Sequence, residues 1–315
     1  MVSIIIPMFN EAANVDALCE SVLNACTTLK IKYEVIFIDD GSTDGTSELL
    51  DRRAEAHTQF SVLHFKRNFG QTAAIVAGFD HAKGDIIVPM DGDLQNDPMD
   101  IGRLLDKLDE GYDVVSGWRK DRKDNAIKRN LPSWLANALI SRISGIKLHD
   151  YGCSLKAYRK SLLNDVRLYG EMHRFVPIYV HWQGGKVCEV PVTHHARKFG
   201  HSKYGLNRVT KVLLDLILIK FLADYHTRPI HIFGTLGFLC FGIAVLSGLG
   251  AVYMKLFEGA SFIQTPLPLL AVMCFLSGIL CILLGLLAEI LIRIYYETQG
   301  KTVYSLVPDD PLKDD

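Results

Sequence analysis

Two stretches constrain this chain most. Residues 230–254 and 264–288 each run for 25 positions without a single Asp, Glu, Lys or Arg. A helix of that length rises about 37 Å, more than the ~30 Å hydrocarbon thickness of a bilayer. They account for a positive mean hydropathy, +0.17, in a chain that is still 22% charged, so the rest must fold as an ordinary water-facing domain. With 34 Lys+Arg against 35 Asp+Glu and a formal net charge of −1, the chain lacks the basic excess of a nucleic-acid binder. At 49% hydrophobic residues it is not a disordered chain either. Seven cysteines, an odd number with no CxxC spacing, read as reduced packing residues. The opening Met-Val-Ser-Ile-Ile-Ile-Pro has no basic n-region, which predicts that this end is not exported and that the soluble part is cytosolic.

Up to about residue 118, short β-branched runs alternate with amphipathic stretches, the pattern of βα units on a buried parallel sheet. The runs predict strands at 3–7, 33–38, 61–65, 85–90 and 113–116. Helices are predicted at about 12–29, 45–57, 70–82 and 97–110, with Asp44 and Asp97 as N-caps. The fold class is therefore α/β and doubly wound, a Rossmann-like, mostly parallel sheet. Ligands of such sheets bind at the carboxyl ends of the strands.

Four of those ends carry unusual polar residues: Phe9, Asn10 and Glu11; Asp39, Asp40, Gly41 and Ser42; Arg67, Asn68, Phe69 and Gly70; and Asp91, Gly92 and Asp93. Neither GxGxxG nor GxxxxGK[ST] occurs, so a dinucleotide fingerprint and a P-loop are both unsupported. Asp91 and Asp93 follow an apolar strand directly, and alternation lets both point one way. Two such hard oxygen donors, with Gln95 as a third, suit Mg²⁺ or Mn²⁺ bridging a diphosphate. Asp39 and Asp40 are either turn formers or acceptors for a base and ribose hydroxyls. Glu11 either supports the 12–29 helix or faces the same site, and Asn68 and Gly70 either shape a turn or line it. His194 and His195, neighbours on an extended strand, face opposite ways and make a poor metal pair. Trp134, Trp182 and Tyr151 read as packing or interfacial residues.

Beyond residue 118, a basic loop at 119–129 and a second basic cluster at 197–228 appear. In the latter, Val209, Leu213, Leu216, Ile217 and Phe221 recur at helical spacing, predicting an interfacial amphipathic helix before the first apolar run. The segment between the two runs, 255–263, carries only Lys255 and Glu258, whereas both flanks are basic. The positive-inside rule then places both termini in the cytosol and that segment outside. Glu289 and Arg293 stand four apart, spacing for a pair at the headgroups. The predicted division is a cytosolic catalytic domain at 1–205, an interfacial helix at 206–228, two transmembrane helices within 229–294 and a cytosolic tail at 295–315.

The strings Pro-Met-Phe-Asn-Glu from Pro7, Ile-Asp-Asp-Gly-Ser-Thr-Asp-Gly-Thr from Ile38, Arg-Asn-Phe-Gly-Gln from Arg67 and Met-Asp-Gly-Asp-Leu-Gln from Met90 resemble, in order and spacing, the GT-A family 2 glycosyltransferases. More narrowly, the chain resembles the polyisoprenyl-phosphate glycosyltransferases, a group that includes dolichyl-phosphate mannose synthases, bactoprenol glucosyltransferases and aminoarabinose transferases. Asp-Tyr-Gly-Cys-Ser-Leu-Lys-Ala-Tyr-Arg from Asp150, Arg-Lys-Phe-Gly-His-Ser-Lys-Tyr from Arg197 and the two apolar runs carry the narrower likeness.

The resemblance implies a nucleotide-diphosphate sugar as donor, a polyprenyl phosphate as acceptor, inversion at the anomeric carbon and Mg²⁺ or Mn²⁺ as cofactor. It implies that Pro7, Phe9, Glu11 and Asp39 hold the nucleoside, with Asp40, Asn68 and Gly70 on the same nucleotide-sugar side. Asp91, Asp93 and Gln95 would hold metal and diphosphate, and Arg119 would approach the phosphates. Arg197, Ser202 and Lys203 would close over the acceptor phosphate. Asp93, Arg119, Asp150 and Lys203 are the expected catalytic set, Asp150 orienting the acceptor or taking a residual proton. Two departures stand out: Phe9 where Tyr is commoner, and His201 where Glu often sits. UDP is favoured over GDP, undecaprenyl phosphate as lipid, the bacterial inner membrane as location and a homo-oligomer, by family likeness a tetramer, as assembly. A GDP-mannose-using mannose synthase, a processive polysaccharide synthase and a non-catalytic membrane scaffold are the alternatives. The last is disfavoured by Asp91 and Asp93, and the synthase by the lack of a Gln-x-x-Arg-Trp motif.

Overall fold

The computed structural model describes residues 1–120, 140–141, 144–163, 172–182, 184–196, 229–259 and 261–299. Contacts divide the chain into two units, Met1–Ile219 and Lys220–Asp315. The predicted interfacial helix at 206–228, and with it Arg197, His201, Ser202, Lys203 and Trp134, lie outside the described residues.

In the first unit the expected alternation is realised as β1 (Val2–Met8), α1 (Ala12–Leu29), β2 (Tyr33–Asp39), α2 (Thr46–Ala56), β3 (Phe60–His64), α3 (Gln71–His81), β4 (Ile86–Pro89), α4 (Ile101–Asp109) and β5 (Val114–Trp118). Then come β6 (Lys156–Arg159), α5 (Val176–Trp182) and β7 (Val187–Pro191). The seven strands lie in the order β3-β2-β1-β4-β6-β5-β7. The β1–β2, β1–β4, β2–β3 and β5–β7 pairs are parallel, and β6 runs antiparallel between β4 and β5. Ile4, Ile5 and Ile6 of β1 are fully buried, because a central parallel strand is covered on both faces and reads as a continuous apolar run. The helices bury one stripe each: Val15, Leu18, Cys19, Val22 and Cys26 on α1, and Ile101, Leu104 and Leu108 on α4. The expected 97–110 helix begins one turn tighter, as a 3₁₀ turn Pro98–Asp100 capped by Asp97, whose carboxylate accepts Met99 N–H at 2.9 Å. The other expected cap, Asp44, sits two residues before α2, with Gly45 at the N-cap, and accepts the N–H groups of both Thr46 and Ala12, at 3.1 Å each. It joins the starts of two helices.

The sheet is built to open at its carboxyl edge. β4 ends at Pro89, paired with Ile5, so Ile6, Pro7 and Met8 of β1 continue without a β4 partner. The turn after β4 fills that place. A Cβ on Gly92 would stand 2.2 Å from Met8 Sδ and 3.3 Å from the Pro7 carbonyl, so only glycine lets the turn lie this close.

The second unit is a pair of helices, α6 (Ile230–Phe257) and α7 (Leu267–Gln299), long and apolar enough to cross a bilayer. A Cβ on Gly237 would meet the Gly278 carbonyl at 3.0 Å, so small residues set the helix separation. Phe238, Leu246 and Phe257 are more than 70% exposed, an outward surface suited to lipid and not to water. The predicted partner of Glu289, the Arg293 side chain, lies outside the described residues.

Candidate active site

The four polar strand ends meet. Asn10, held at φ 52°, donates its N–H to Ser42 Oγ at 3.0 Å and accepts Thr43 N–H at 2.8 Å. Glu11 N–H donates to Thr46 Oγ1, and the Glu11 carboxylate accepts the Asn14 side chain at 2.5 Å. The ends of β1 and β2 are thereby one structure, with Pro7 and Phe9 half-buried beside it.

Asp39 and Asp40 are both buried, at 2% and 4% exposure, and they are used differently. Asp39 accepts Ser42 N–H at 3.0 Å, the Ser47 hydroxyl, and His64 Nδ1 at 3.1 Å, while His64 Nε2 reaches Asp51 at 2.9 Å. Burial alone would raise the Asp39 pKa, but these hydrogen bonds together hold it below the ordinary carboxylate value. Asp40 accepts Phe69 N–H at 2.6 Å and Gly70 N–H at 2.9 Å, fixing the loop after β3. Its pKa is raised, by burial first and by Asp39 beside it. Gly41 completes the junction: at φ +73° its missing Cβ would fall 2.5 Å from the Arg67 carbonyl carbon. Asn68 is exposed at the loop tip, and Phe69, 54% exposed, carries the Arg67 guanidinium 4.7 Å above its ring.

Asp91 and Asp93 follow β4. The Asp91 oxygens receive the Gln71 amide at 2.8 Å and the Ser154 hydroxyl at 2.6 Å. Its N–H donates to Asn96 Oδ1 at 3.2 Å. Asp93, 8% exposed, accepts Gln95 N–H at 3.2 Å. The turn is pinned by the histidine strand: His195 N–H donates to the Gln95 carbonyl at 2.9 Å, and Asn96 bridges His194. His195 itself faces Asp97 at 3.2 Å. The Asp91 pKa is raised, by burial and then by the Asp93 charge, against the opposing pull of Ser154, Arg119 and Arg174. This is the test of a metal. A carboxylate whose proton affinity is raised by burial and by a second carboxylate beside it, on a polar edge, is a site that a hard divalent cation would relieve. Among the described residues no cluster of three or more His, Cys, Asp or Glu side chains completes a metal cage. Asp91 and Asp93 are the residues here that could hold such an ion.

Arg119 and Asp150, expected in separate roles, are partners. Arg119 Nε and Nη2 donate to the two Asp150 oxygens at 2.7 and 3.0 Å, with only 12% and 8% of the two side chains exposed. Asp150 also accepts Gly152 N–H at 3.1 Å. Burial works against the guanidinium charge, but the Asp150 bonds outweigh it and raise the Arg119 pKa. Tyr151 and Trp182 pack in a small core with Phe175 and Ile178, away from any sugar-stacking role.

Sequence reasoning assigned no role to Gln71 and Ser154, which hold Asp91, or to Arg174, whose charge acts on it. Gln71 and Ser154 stood inside the strings quoted above, but nothing in a linear string says that positions 71 and 154 converge on position 91.

The chain matches glycosyl transferase family 2 over residues 3–167. It is 43% identical over 308 residues to dodecaprenyl-phosphate galacturonate synthase of Rhizobium johnstonii, spanning 96% of this chain and 90% of that one. It is 36% identical over 306 residues to undecaprenyl-phosphate 4-deoxy-4-formamido-L-arabinose transferase of Edwardsiella ictaluri, covering 96% and 92%. Among solved structures, glucosyl-3-phosphoglycerate synthase from Mycobacterium tuberculosis, in complex with Mn²⁺, UDP-glucose and phosphoglyceric acid, superposes with a TM-score of 0.53 at 18% identity over 71% of this chain and 79% of that one. That structural likeness speaks for the fold. With a family match across half its length and near full-length relatives, the chain is a member of glycosyl transferase family 2.

Proposed function

We propose that this protein transfers a sugar, with inversion, from a nucleotide-diphosphate sugar to a polyprenyl phosphate at the cytosolic face of a membrane. UDP is the favoured nucleotide and undecaprenyl phosphate the favoured lipid of a bacterial inner membrane. The observation that carries the reading is the reach of the likeness: both named relatives make polyprenyl-phosphate sugars, and both align over 96% of this chain, apolar helices included. A mannose synthase using GDP-mannose finds no such support in these relatives.

The chemistry agrees with the residues. A phosphate monoester has its second pKa near 6, so the acceptor oxygen is ionised at neutral pH and needs no strong base. The difficulty lies in the departing diphosphate. Asp91 and Asp93, with Gln95 beside them, would hold Mg²⁺ or Mn²⁺, which when bound neutralises charge on that leaving group. Asp150 takes two of the five donors of the Arg119 guanidinium, fixing its plane so that the others can serve a phosphate. This pairing favours an orienting role for Asp150 over proton acceptance, since a carboxylate doubly bonded to guanidinium is held ionised. Pro7, Phe9, Glu11 and Asp39 frame the nucleoside end, with Asp40, Asn68 and Gly70 shaping the adjoining loop. Arg197, Ser202 and Lys203 are assigned to the acceptor phosphate on their motif alone.

The test is mass spectrometry of lipid products from purified protein given short-chain polyprenyl phosphate and a panel of UDP- and GDP-sugars, with and without Mg²⁺ or Mn²⁺. A polyprenyl-phosphate monosaccharide formed only with the ion is expected. A long polymer, or binding without turnover, would refute the reading.

A further inference from the structure

Beneath the site lies a charged side chain that the reaction as described does not use. Lys156, the first residue of β6, is 3% exposed. Its ammonium donates to the Tyr151 carbonyl at 3.3 Å and to the Cys153 carbonyl. Those carbonyls belong to the short turn that begins with Asp150 and ends with Ser154. The first of these carries Arg119, and the last donates its hydroxyl to Asp91 at 2.6 Å. Across the antiparallel pair, Lys156 faces Ser116 of β5, whose buried hydroxyl has no hydrogen-bond partner among the described residues. A buried ammonium is costly unless its donors are engaged.

Resting on the function proposed above, we infer that Lys156 is a positioning residue for sugar transfer. By gripping the 151 and 153 carbonyls from below, it sets Asp150 and Ser154, and through them Arg119 and Asp91, at the diphosphate end of the donor. The charged and titratable groups facing it are Asp150 and the Cys153 thiol, which burial holds protonated, from the turn, Arg119 after β5, and His173 and Arg174 from the 3₁₀ turn Met172–Phe175. The cations Lys156, Arg119 and Arg174 stand against three carboxylates, of which Asp93 and Asp150 are buried and Asp91 half-buried. Burial draws the Lys156 pKa down to about 8, so the ammonium is present at neutral pH and lost within an accessible alkaline range.

The experiment is sugar transfer by the full-length protein against pH, with donor KM and kcat separated, for the wild type, Lys156→Met and Lys156→Arg. Wild-type kcat is expected to fall above about pH 8. Lys156→Met, with a cooperative melt, is expected to lose at least about tenfold in kcat with donor KM within about twofold, since the nucleoside end is untouched. Lys156→Arg keeps a donor and a charge that do not titrate, so it should recover most of kcat and carry the alkaline limb upward by more than one pH unit. A Lys156→Met protein with wild-type kcat, or a Lys156→Arg profile superimposing on the wild type, overturns the inference. Should Lys156→Met fail to fold, the Lys156→Arg profile decides alone. Absence of transfer by the wild type would instead refute the proposed function, so the two failures are distinct.

Discussion

Two pairs of acids stand at the same edge of the sheet, and they are built to opposite ends. Asp39 and Asp40 after β2 are surrounded by donors: two backbone N–H groups on Asp40, and on Asp39 one N–H, one hydroxyl and an imidazole. At Asp91 after β4 the donors are side chains, the Gln71 amide and the Ser154 hydroxyl, and burial and the charge of Asp93 raise its pKa. The first pair fixes the turn after β2 and the loop after β3. At the second, burial and like charge raise the Asp91 pKa, a repulsion that a bound cation would relieve. The same residue type is met by backbone N–H groups of the loop after β3 at Asp40 and by the side chains of Gln71 and Ser154 at Asp91, and that difference in partners separates the two ends.

The largest effect that would break this contrast is expected from amide substitution on each side. Asp91→Asn or Asp93→Asn should lower kcat roughly 10³-fold, the loss of about 4 kcal/mol of charge stabilisation at the leaving group. Stability in detergent should hold or rise, because the substitution removes a like-charge neighbour while keeping an acceptor. Asp40→Asn should do the reverse in proportion. It turns an NH₂ toward the Phe69 or Gly70 N–H and should cost about 1–3 kcal/mol of stability, with activity falling only as the loop loosens. Thermal unfolding and transfer assays on the same preparations decide. Equal destabilisation by Asp91→Asn and Asp40→Asn would abolish the distinction.

The β2 end is also specified by backbone, which gives a second and smaller test. Gly41 combines φ +73° with Arg67 and Asn68 backbone atoms 2.5 to 2.8 Å from where a Cβ would lie, whereas Gly70 has φ +93° with nothing within 4 Å. Gly41→Ala should therefore destabilise by about 2 kcal/mol or more and Gly70→Ala by about 1 kcal/mol, the strain of the backbone without the clash. Chemical denaturation of the two variants reads the difference. If Gly70→Ala proved the more damaging, the loop after β3 would be the rigid partner and the β2 turn the adaptable one.

These contrasts mark where the sequence was readable. Strands β1 to β5 and the helices between them follow from short-range periodicity, and buried parallel strands announce themselves as runs such as Ser-Ile-Ile-Ile. The motif glycines were legible as turns. What could not be read was anything requiring two distant segments. β6 is four residues whose place between β4 and β5, in reverse, depends on the fold around it. Arg119 and Asp150 were each singled out, but their bidentate pairing spans 31 positions. Asp91 takes its partners from 20 and 63 positions away. Asp39 and Asp40 were indistinguishable in the sequence because neighbouring residues share every local signal. Only the loops that fold onto them tell one from the other.

The finest test of the contrast is the response of the two ends to acid, which should differ in sign. Hydrogen bonds to the Asp51 and Asp39 carboxylates outweigh the opposing effect of burial and hold the His64 pKa above 6.5. Its stabilisation is then fully present below about pH 6.5 and lost as pH rises through the raised folded value. Asp39, with its pKa lowered below 3.8, contributes above that ordinary value and loses its contribution only as pH falls through the lowered one. Asp91, raised by burial and Asp93, behaves inversely: its ionised form costs stability above the raised folded value, and acid relieves that cost. His64 is 40% exposed and Asp51 55%, so solvent screens the pair and His64→Gln should lower the melting temperature by no more than about 4 °C. That loss should appear at pH 5.5 and vanish by about pH 8.5, whereas the stability gained by Asp91→Asn should be greatest at neutral pH and shrink toward pH 4. Melting curves of the two variants and the wild type across that range, without divalent ions, measure both slopes. Parallel slopes would mean that the two acidic ends experience the same electrostatic environment, and the assignment of shape to one and cation to the other would lose its physical basis.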